Sequence, residues 1–478
     1  MTRAELTAFD IETELGPLLC ESSSIFGPED PRWLRATLRY EEYLPPQFTV
    51  IAEVGCESDV STVIDYANRN GISFYTFNRG HGWPMTQGNF RGLGIDIHLL
   101  SNITVDHERQ IALVQGGVET QNLVDTLWKE GFVTPTASCA CIGHLGPALG
   151  GGHGRYQGLY GLMSDNLVQL NAVLANGTSI SVSNDSHPDL FWSMKGAGHN
   201  FGVVTSVELK VYPAPTKTWY FRNYFFTKDK LEGLFSELNK LIGNGQPLEL
   251  DFHFGHYEWN SLISTTDAVL WWSFSYMGPE SEAEKYLTPF NNLGPINVVG
   301  GAVPYPAMDT ATRNGRFSLP CVKGLSKMMS TTGLQQFNVT AFRQVYELFN
   351  AYLKKYPALK LSILLLEVYN PAAIRAIDAT SSAFPHRADN ILALAMPAYP
   401  PNLPLEEPAK RLANGILELL MEGQPGRLPT VNVNYAFGWE PLESVYGYEP
   451  WRLEKLRAVK AEYDPDNKFS YYVPIVPE

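Results

Sequence analysis

Cysteine is scarce in this sequence: five residues in 478, an odd number, at Cys20, Cys56, Cys139, Cys141 and Cys321. A disulfide framework of the kind that holds small secreted domains is a poor account of them. Long apolar runs are missing too. Nothing approaches the roughly 18 uninterrupted apolar residues that a membrane-spanning helix needs. The N-terminal stretch carries acids at Glu5, Asp10, Glu12 and Glu14 where a signal peptide would be apolar. If Met1 is the true start, the expectation is a cytoplasmic or otherwise intracellular protein, with secretion left open. The N-x-S/T sequons at Asn102, Asn176, Asn184 and Asn338 would matter only in a secreted protein. Basic side chains number 36 against 50 acids, for a net charge of −14, and no Lys/Arg block is long enough for a phosphate-backbone or anionic-membrane footprint. Nucleic acid and membranes are therefore not expected as partners. Two nucleotide signatures are also absent. There is no G-x-x-x-x-G-K-[ST], and Gly196 and Gly198 are followed by Phe201 where a Rossmann fingerprint needs its third glycine.

What is present is the balance of a well-packed enzyme, with 44% apolar and 18% charged residues, and a length that calls for two or three domains. Val60, Val63, Ile64 and Ala67 recur at helical spacing, and Asn70-Gly71 ends that helix before a strand near Ile72 to Phe77. Short strands and helices continue in alternation to the breaker Pro213-Ala214-Pro215. Beyond it come longer strands with period-two patterning at Trp219 to Phe226, Leu248 to Phe254, Ala268 to Tyr276 and Leu361 to Tyr369, separated by helical stretches such as Lys230 to Ile242 and Thr340 to Lys355. The pattern predicts an α+β first domain and a second domain on an antiparallel sheet covered by helices. Leu270, Trp272, Phe274 and Tyr276 share one strand face, a stripe that reads as core before it reads as a ligand platform.

Glycines cluster at Arg79-Gly80-His81-Gly82-Trp83, at Gly150-Gly151-Gly152-His153-Gly154, and from Lys195-Gly196 to Phe201-Gly202. Such runs let the backbone approach a ligand and present N–H groups to anionic oxygen, as a pyrophosphate needs. Each alone could be an ordinary tight turn; three along one domain point to a dinucleotide-type cofactor.

Four segments make the pattern specific: Ile72-Ser-Phe-Tyr-Thr-Phe-Asn-Arg-Gly-His81, Cys139-Ala-Cys-Ile-Gly-His-Leu-Gly-Pro-Ala-Leu-Gly-Gly-Gly152, Tyr160-Gly-Leu-Met-Ser-Asp-Asn166 and Tyr463-Asp-Pro-Asp-Asn-Lys-Phe469. In this order they resemble the berberine-bridge-enzyme-like branch of the vanillyl-alcohol-oxidase flavoprotein superfamily, over nearly the whole chain. The resemblance implies a two-domain α+β flavoprotein: an FAD domain from residues 1–215 and 426–478, and a central substrate domain, residues 216–425, whose sheet roofs the flavin. It implies FAD bonded to His81, at the position of the family's histidine, and to Cys139, at the family's cysteine spacing before Gly150; Cys141 does not have that spacing. Imidazole and thiolate are apt nucleophiles toward an electrophilic flavin tautomer. Read without the resemblance, His81 is a turn histidine and Cys139 a buried thiol. Cofactor contacts are expected from Asn78, Arg79, Gly80, Gly82 and Trp83, from Ile142, Gly143, Gly150, Gly151 and Gly152, from Asp165 and Asn166, and from Gly202, Val203 and Val204. His144 and His153 read as packing or turn residues, and no metal site is expected.

Two positions depart from the family. Asn432-Val-Asn-Tyr435 resembles a Y-x-N-Y motif with its first tyrosine replaced, leaving Tyr435 as either the catalytic base or a half-buried strand aromatic. After Phe384-Pro-His-Arg387, Ala395 stands where a Glu or Gln over the flavin is expected. Glu367, a lone acid in an apolar strand, reads as solvent-facing before it reads as a base of raised pKa. The expected activity is oxidation of an alcohol, amine or activated C–H in a small substrate of secondary-metabolite type, with oxygen or another acceptor taking the electrons. The apolar residues Leu250, Phe252, Phe254 and Trp272 lean toward a hydrophobic metabolite. A flavin-scaffolded isomerase or cyclase, and a catalytically silent flavin-binding protein, are the alternatives.

Overall fold

The computed structural model describes residues 6–477; Met1 and Glu5, on which part of the N-terminal reading rests, lie outside the described residues. The first layer grows from the helix Glu57–Asn70, which buries Val60, Val63, Ile64 and Ala67 against Val50, Leu93 and Ile95. Gly71 ends it in the left-handed conformation at φ +65°, its N–H returning to the Ala67 and Asn68 carbonyls, as glycine alone does without strain. The helix crosses over between parallel strands of a four-stranded sheet made of Ser24–Phe26, Gln47–Glu53, Arg91–Asp96 and Phe74–Phe77, in that order. A five-stranded antiparallel sheet follows, ordered Ile103–Asp106, Ile111–Gln115, Val203–Lys210, Leu167–Val173 and Ser179–Ser183.

The longer strands form a separate seven-stranded antiparallel sheet: Asn297–Val303, Trp219–Phe226, Val269–Tyr276, Leu250–Glu258, Ile363–Glu367, Ile391–Met396 and Ser330–Leu334. Helices Leu231–Gly243, Glu280–Asn292, Val339–Lys355 and Glu406–Glu422 supply Phe235, Phe290, Phe349 and Ile416 to one core with Tyr224, Trp272, Phe274 and Leu364. The stripe Leu270, Trp272, Phe274 and Tyr276 lies in this core. So do Leu250 and Phe252, so three of the four residues that suggested a hydrophobic substrate are packing residues instead. Phe254 lies in a different cluster, with Phe225, Val269 and Trp271. On the other face Trp219 and Phe221 pack with Val124, Val133 and Tyr156 of the first domain.

The C-terminus returns to the first layers. Helix Pro450–Tyr463 packs Leu453, Leu456 and Val459 against Leu190 and Phe191. Its Lys460 Nζ, fully buried, donates to the Asn200 and Phe469 carbonyls and to Asp464 at 2.7–2.9 Å. A buried cation satisfied on three sides fixes the terminal segment, since removing one partner from such a pair typically costs about 3–5 kcal/mol.

The cysteines correct the expectation that disulfides are a poor account of them. Cys20 is bonded to Cys56 and Cys141 to Cys321. The second crosslink spans 180 residues and joins two sheets' loops, a pairing that linear spacing cannot reveal. Among the described residues Cys139 keeps a free thiol.

Candidate active site

A cavity of about 310 Å3 opens where the four-stranded sheet, the five-stranded sheet and the C-terminal segment meet. The strand Phe74–Phe77 and its turn supply Asn78, Arg79, Gly80, His81, Gly82 and Trp83; the segment after Cys141 supplies Ile142 and Gly143; the start of strand Val203–Lys210 supplies Gly202, Val203 and Val204. Gly152 and Tyr435 also line it. Gly80 is required for the turn: φ is +68°, and a Cβ there would stand 2.4 Å from Arg39 Nη1.

Five expected contacts stand behind the wall. Asp165 receives Arg387 through both oxygens, at 2.9 and 2.7 Å, inside the fold. Asn166 Nδ2 donates to the Tyr160 and Leu162 carbonyls, and its Oδ1 accepts from Tyr212. Both side chains are spent on closing the turn. Gly151 packs on Phe384, and Gly150 on Asn434, whose Oδ1 would lie 2.1 Å from a Cβ. Cys139 lies outside the lining, its Sγ 3.7 Å from Cys141 Sγ and 4.0 Å from Cys321 Sγ.

Other walls gave no strong signal in the sequence. Arg39, His199, Asn434, Tyr471 and Tyr472 all line the cavity. His199 is the residue after the Gly196–Gly198 run, and the two tyrosines follow the landmark ending at Phe469; Arg39 has no local motif. His199 stacks on Tyr472 at 4.2 Å and places Nε2 2.9 Å from the Gly146 carbonyl.

The wall carries polar atoms that the protein leaves unpaired: Asn78 Oδ1, Arg79 Nε, His81 Nδ1, Trp83 Nε1, His153 Nε2, His199 Nδ1 and Asn432 Nδ2 are buried without partners. Buried polar groups are nearly always satisfied, so seven around one cavity fit a large polar heterocyclic ligand. The donor set suits FAD. His81 stacks on Tyr40 at 4.7 Å, with Nε2 3.6 Å from Cys141 Sγ and Nδ1 free. Burial first, then the nearby Lys323 and Lys327 cations, push its pKa down to about 3, so the imidazole is neutral and its lone pair available.

Tyr435 sits in a turn rather than a strand. Asn432 builds that turn: its carbonyl accepts the Tyr435 N–H at 2.8 Å and its Oδ1 accepts the Asn434 N–H at 2.9 Å. The Tyr435 ring stacks on Trp83 at 5.5 Å, and its hydroxyl donates to Glu367 Oε1 at 2.8 Å. Glu367 is buried, not solvent-facing, because its strand lies inside the seven-stranded sheet and its carboxylate meets Tyr435, which lines the cavity. Burial pushes its pKa up to about 7, against hydrogen bonds from Tyr435 and Tyr369 that favour the carboxylate. Tyr435 itself is pushed well above the usual phenol range by burial and by that carboxylate. Ala395 pairs with Leu364 in the helix-covered core, whereas Glu367 pairs with Leu392 on the opposite face, so the acid beside Tyr435 comes from the neighbouring strand.

Residues 48–183 match the FAD binding domain family. The chain is 52% identical over 476 residues, 99% of its length and 94% of the relative's, to the FAD-linked oxidoreductase anuG of Penicillium roqueforti. Among solved structures it is similar to the BBE-like 1 protein of Physcomitrella patens, with 18% identity, TM-score 0.82 and coverage of 96% and 98% of the two chains. It is also similar to the glucooligosaccharide oxidase of Acremonium strictum, described with a 6-S-cysteinyl, 8α-N1-histidyl FAD, at 19% identity, TM-score 0.79 and coverage of 98% and 99%. The Penicillium roqueforti relative, 52% identical over nearly the whole of both chains, shows the family, and the solved structures share the two-domain fold around the cavity: the chain belongs to the FAD-linked oxidoreductases.

Proposed function

We propose that the protein oxidises a small organic substrate, an alcohol, amine or activated C–H of secondary-metabolite type, using Tyr435 and Glu367 as a coupled base. The observation that carries this is the 2.8 Å hydrogen bond from the hydroxyl of Tyr435, a cavity-lining residue, to the buried Glu367 carboxylate behind it. A lone buried phenol cannot take a proton at neutral pH, because forming the phenolate without a cation is too costly. Coupling removes that difficulty: Tyr435 Oη accepts the substrate proton while its own proton passes to Glu367 Oε1. A carboxyl poised near 7 is matched to this task. FAD, when bound, supplies the two-electron acceptor.

The rest of the wall holds and orients. His81 Nδ1 and, by family spacing, the Cys139 thiol are the proposed covalent attachments, the arrangement named for the Acremonium strictum oxidase. The backbone about Gly80, Gly82, Gly143 and Gly152 receives the cofactor closely, and Trp83, stacked on Tyr435, keeps the phenol in place. Trp83 and Tyr435, stacked on each other, present aromatic rings at the cavity wall, which supports an apolar substrate. Oxygen is the proposed final acceptor. The test is an anaerobic screen of aromatic and aliphatic alcohols and amines: bleaching of the flavin's visible band supports the reading, and product formation with an unbleached flavin defeats it.

A further inference from the structure

Three of the four N-x-S/T sequons sit on loops of the five-stranded sheet, away from the cavity lining. Asn102 stands immediately before the strand Ile103–Asp106, Asn176 in the turn between Leu167–Val173 and Ser179–Ser183, and Asn184 immediately after Ser179–Ser183. All three are exposed, and among the described residues none of their Nδ2 atoms makes a hydrogen bond. Asn176 spends Oδ1, not Nδ2, on its turn, accepting the Thr178 N–H at 3.0 Å. The middle residues, Ile103, Gly177 and Asp185, are not proline, as an acceptor sequon requires. The fourth sequon is built differently. Asn338 caps the helix Val339–Lys355, its Oδ1 accepting the Ala341 N–H at 3.1 Å and its half-buried Nδ2 donating to the Gly423 carbonyl at 3.4 Å. A sugar on that nitrogen would have to break the contact.

The cysteines supply the second observation. Four of the five are bonded, Cys20 to Cys56 and Cys141 to Cys321. Such bonds form and persist in oxidising compartments, and N-x-S/T sequons are glycosylated in the same secretory route. We propose that the chain matures there, against the intracellular expectation drawn from its N-terminal acids, and carries N-linked oligosaccharides on Asn102, Asn176 and Asn184 but not on Asn338. The donor is a lipid-linked oligosaccharide diphosphate. Asparagine Nδ2 bonds to the anomeric carbon, the bond from that carbon to the diphosphate oxygen breaks with its electron pair on the diphosphate, and Nδ2 loses one proton; nothing is oxidised or reduced. The positions have a structural logic. Ile103–Asp106 and Ser179–Ser183 are the two outer strands of the sheet, each with a neighbour on one side only. An unpaired strand edge is a template for pairing with another chain, and bulky, hydrated sugars beside both edges screen them.

The experiment is glycopeptide mapping of the full chain isolated from the cells that naturally make it. Digestion without reduction, followed by release of N-glycans with an amidase in heavy-oxygen water, turns each glycosylated asparagine into a labelled aspartate, and disulfide-linked peptides are read in the same run. A parallel sample without the amidase corrects for spontaneous deamidation at Asn176-Gly177. The expected result is label on Asn102, Asn176 and Asn184, an unmodified Asn338, and both crosslinks intact. Label on at least two of the three loop sites, with none on Asn338, supports the proposal. Label on one or none, or any on Asn338, overturns it, whatever the cysteines show. Asn102→Gln, Asn176→Gln and Asn184→Gln together should abolish the amidase-sensitive mobility shift; a shift that survives puts the sugar elsewhere and overturns the assignment.

Discussion

Glu367→Gln isolates the proton acceptor, because the amide can keep the hydrogen bond with Tyr435 but cannot take its proton. A positioned base contributes about 10²–10⁴ in rate, which is about 2.7–5.4 kcal/mol of barrier, so flavin reduction should slow by that order while substrate affinity changes little. The pH profile gives the sharper readout. With the Glu367 carboxyl pushed up to about 7, wild-type reduction should fall about tenfold per unit as pH drops below that point, and the variant should be flat there. Stability moves in the opposite sense. The folded pKa lies above the ordinary value of 4.5, so the protonated carboxyl is the form the fold favours, and stability is lost as pH rises from 4.5 through 7. At about 1.4 kcal/mol per unit, the buried charge costs roughly 3 kcal/mol by pH 8. Glu367→Gln should therefore melt higher than wild type at pH 8 and lose that advantage at pH 5. Anaerobic stopped-flow mixing at the visible flavin band and thermal melts at the two pH values read both effects. A variant that reduces within about threefold of wild type, with the acid limb intact, would show that Glu367 is not the acceptor.

Tyr435→Phe should slow reduction by the same order as Glu367→Gln, and the double variant should be no slower than either, since the pair acts as one unit; additive losses would separate them. Tyr369→Phe removes a donor that favours the Glu367 carboxylate, so the acid limb should move to higher pH with the alkaline plateau unchanged, whereas a packing defect would lower the whole profile. Acid-precipitated protein should stay yellow, and His81→Ala with Cys139→Ala should release all flavin to the supernatant; white wild-type pellets would exclude any tether. Ile142 lines the cavity three residues after Cys139, where a smaller side chain would widen access, so Ile142→Val should speed reoxidation by air, and equal rates would deny it a gating role.

Local pattern carried the elements well where periodicity and punctuation agreed, as in the helix ending at Gly71 and the strand Trp219–Phe226. The resemblance carried the cofactor and the turn from Asn78 to Trp83. What stayed hidden was long-range. Arg39 reaches the cavity from outside every motif, and the Cys141–Cys321 pair closes over 180 residues. Glu367 misled because an acid in an apolar run has the same appearance at an exposed edge and at a buried site; only its place between two other strands, with Tyr435 opposite, tells them apart. Asp165 and Asn166 misled in the other direction, since polar residues that close a turn look like polar residues that hold a ligand.

The substitution at Asn432 gains a physical meaning from this geometry. A tyrosine there would offer a second phenol but no short side-chain acceptor. Asn432 instead uses Oδ1 to receive the Asn434 N–H and its carbonyl to receive the Tyr435 N–H, winding the segment into the turn that aims Tyr435 at Glu367. Asn434 in turn donates to the Pro147 carbonyl at 3.0 Å and presses on Gly150, where no side chain would fit. Gly150 thus supports the Tyr435 turn through Asn434, while Gly152, two residues on, meets the cavity directly. One glycine run joins the cavity wall to the turn that carries the phenol, so the place of Tyr435 against that wall is fixed by the contacts of Asn434 with the Pro147 and Gly150 backbone.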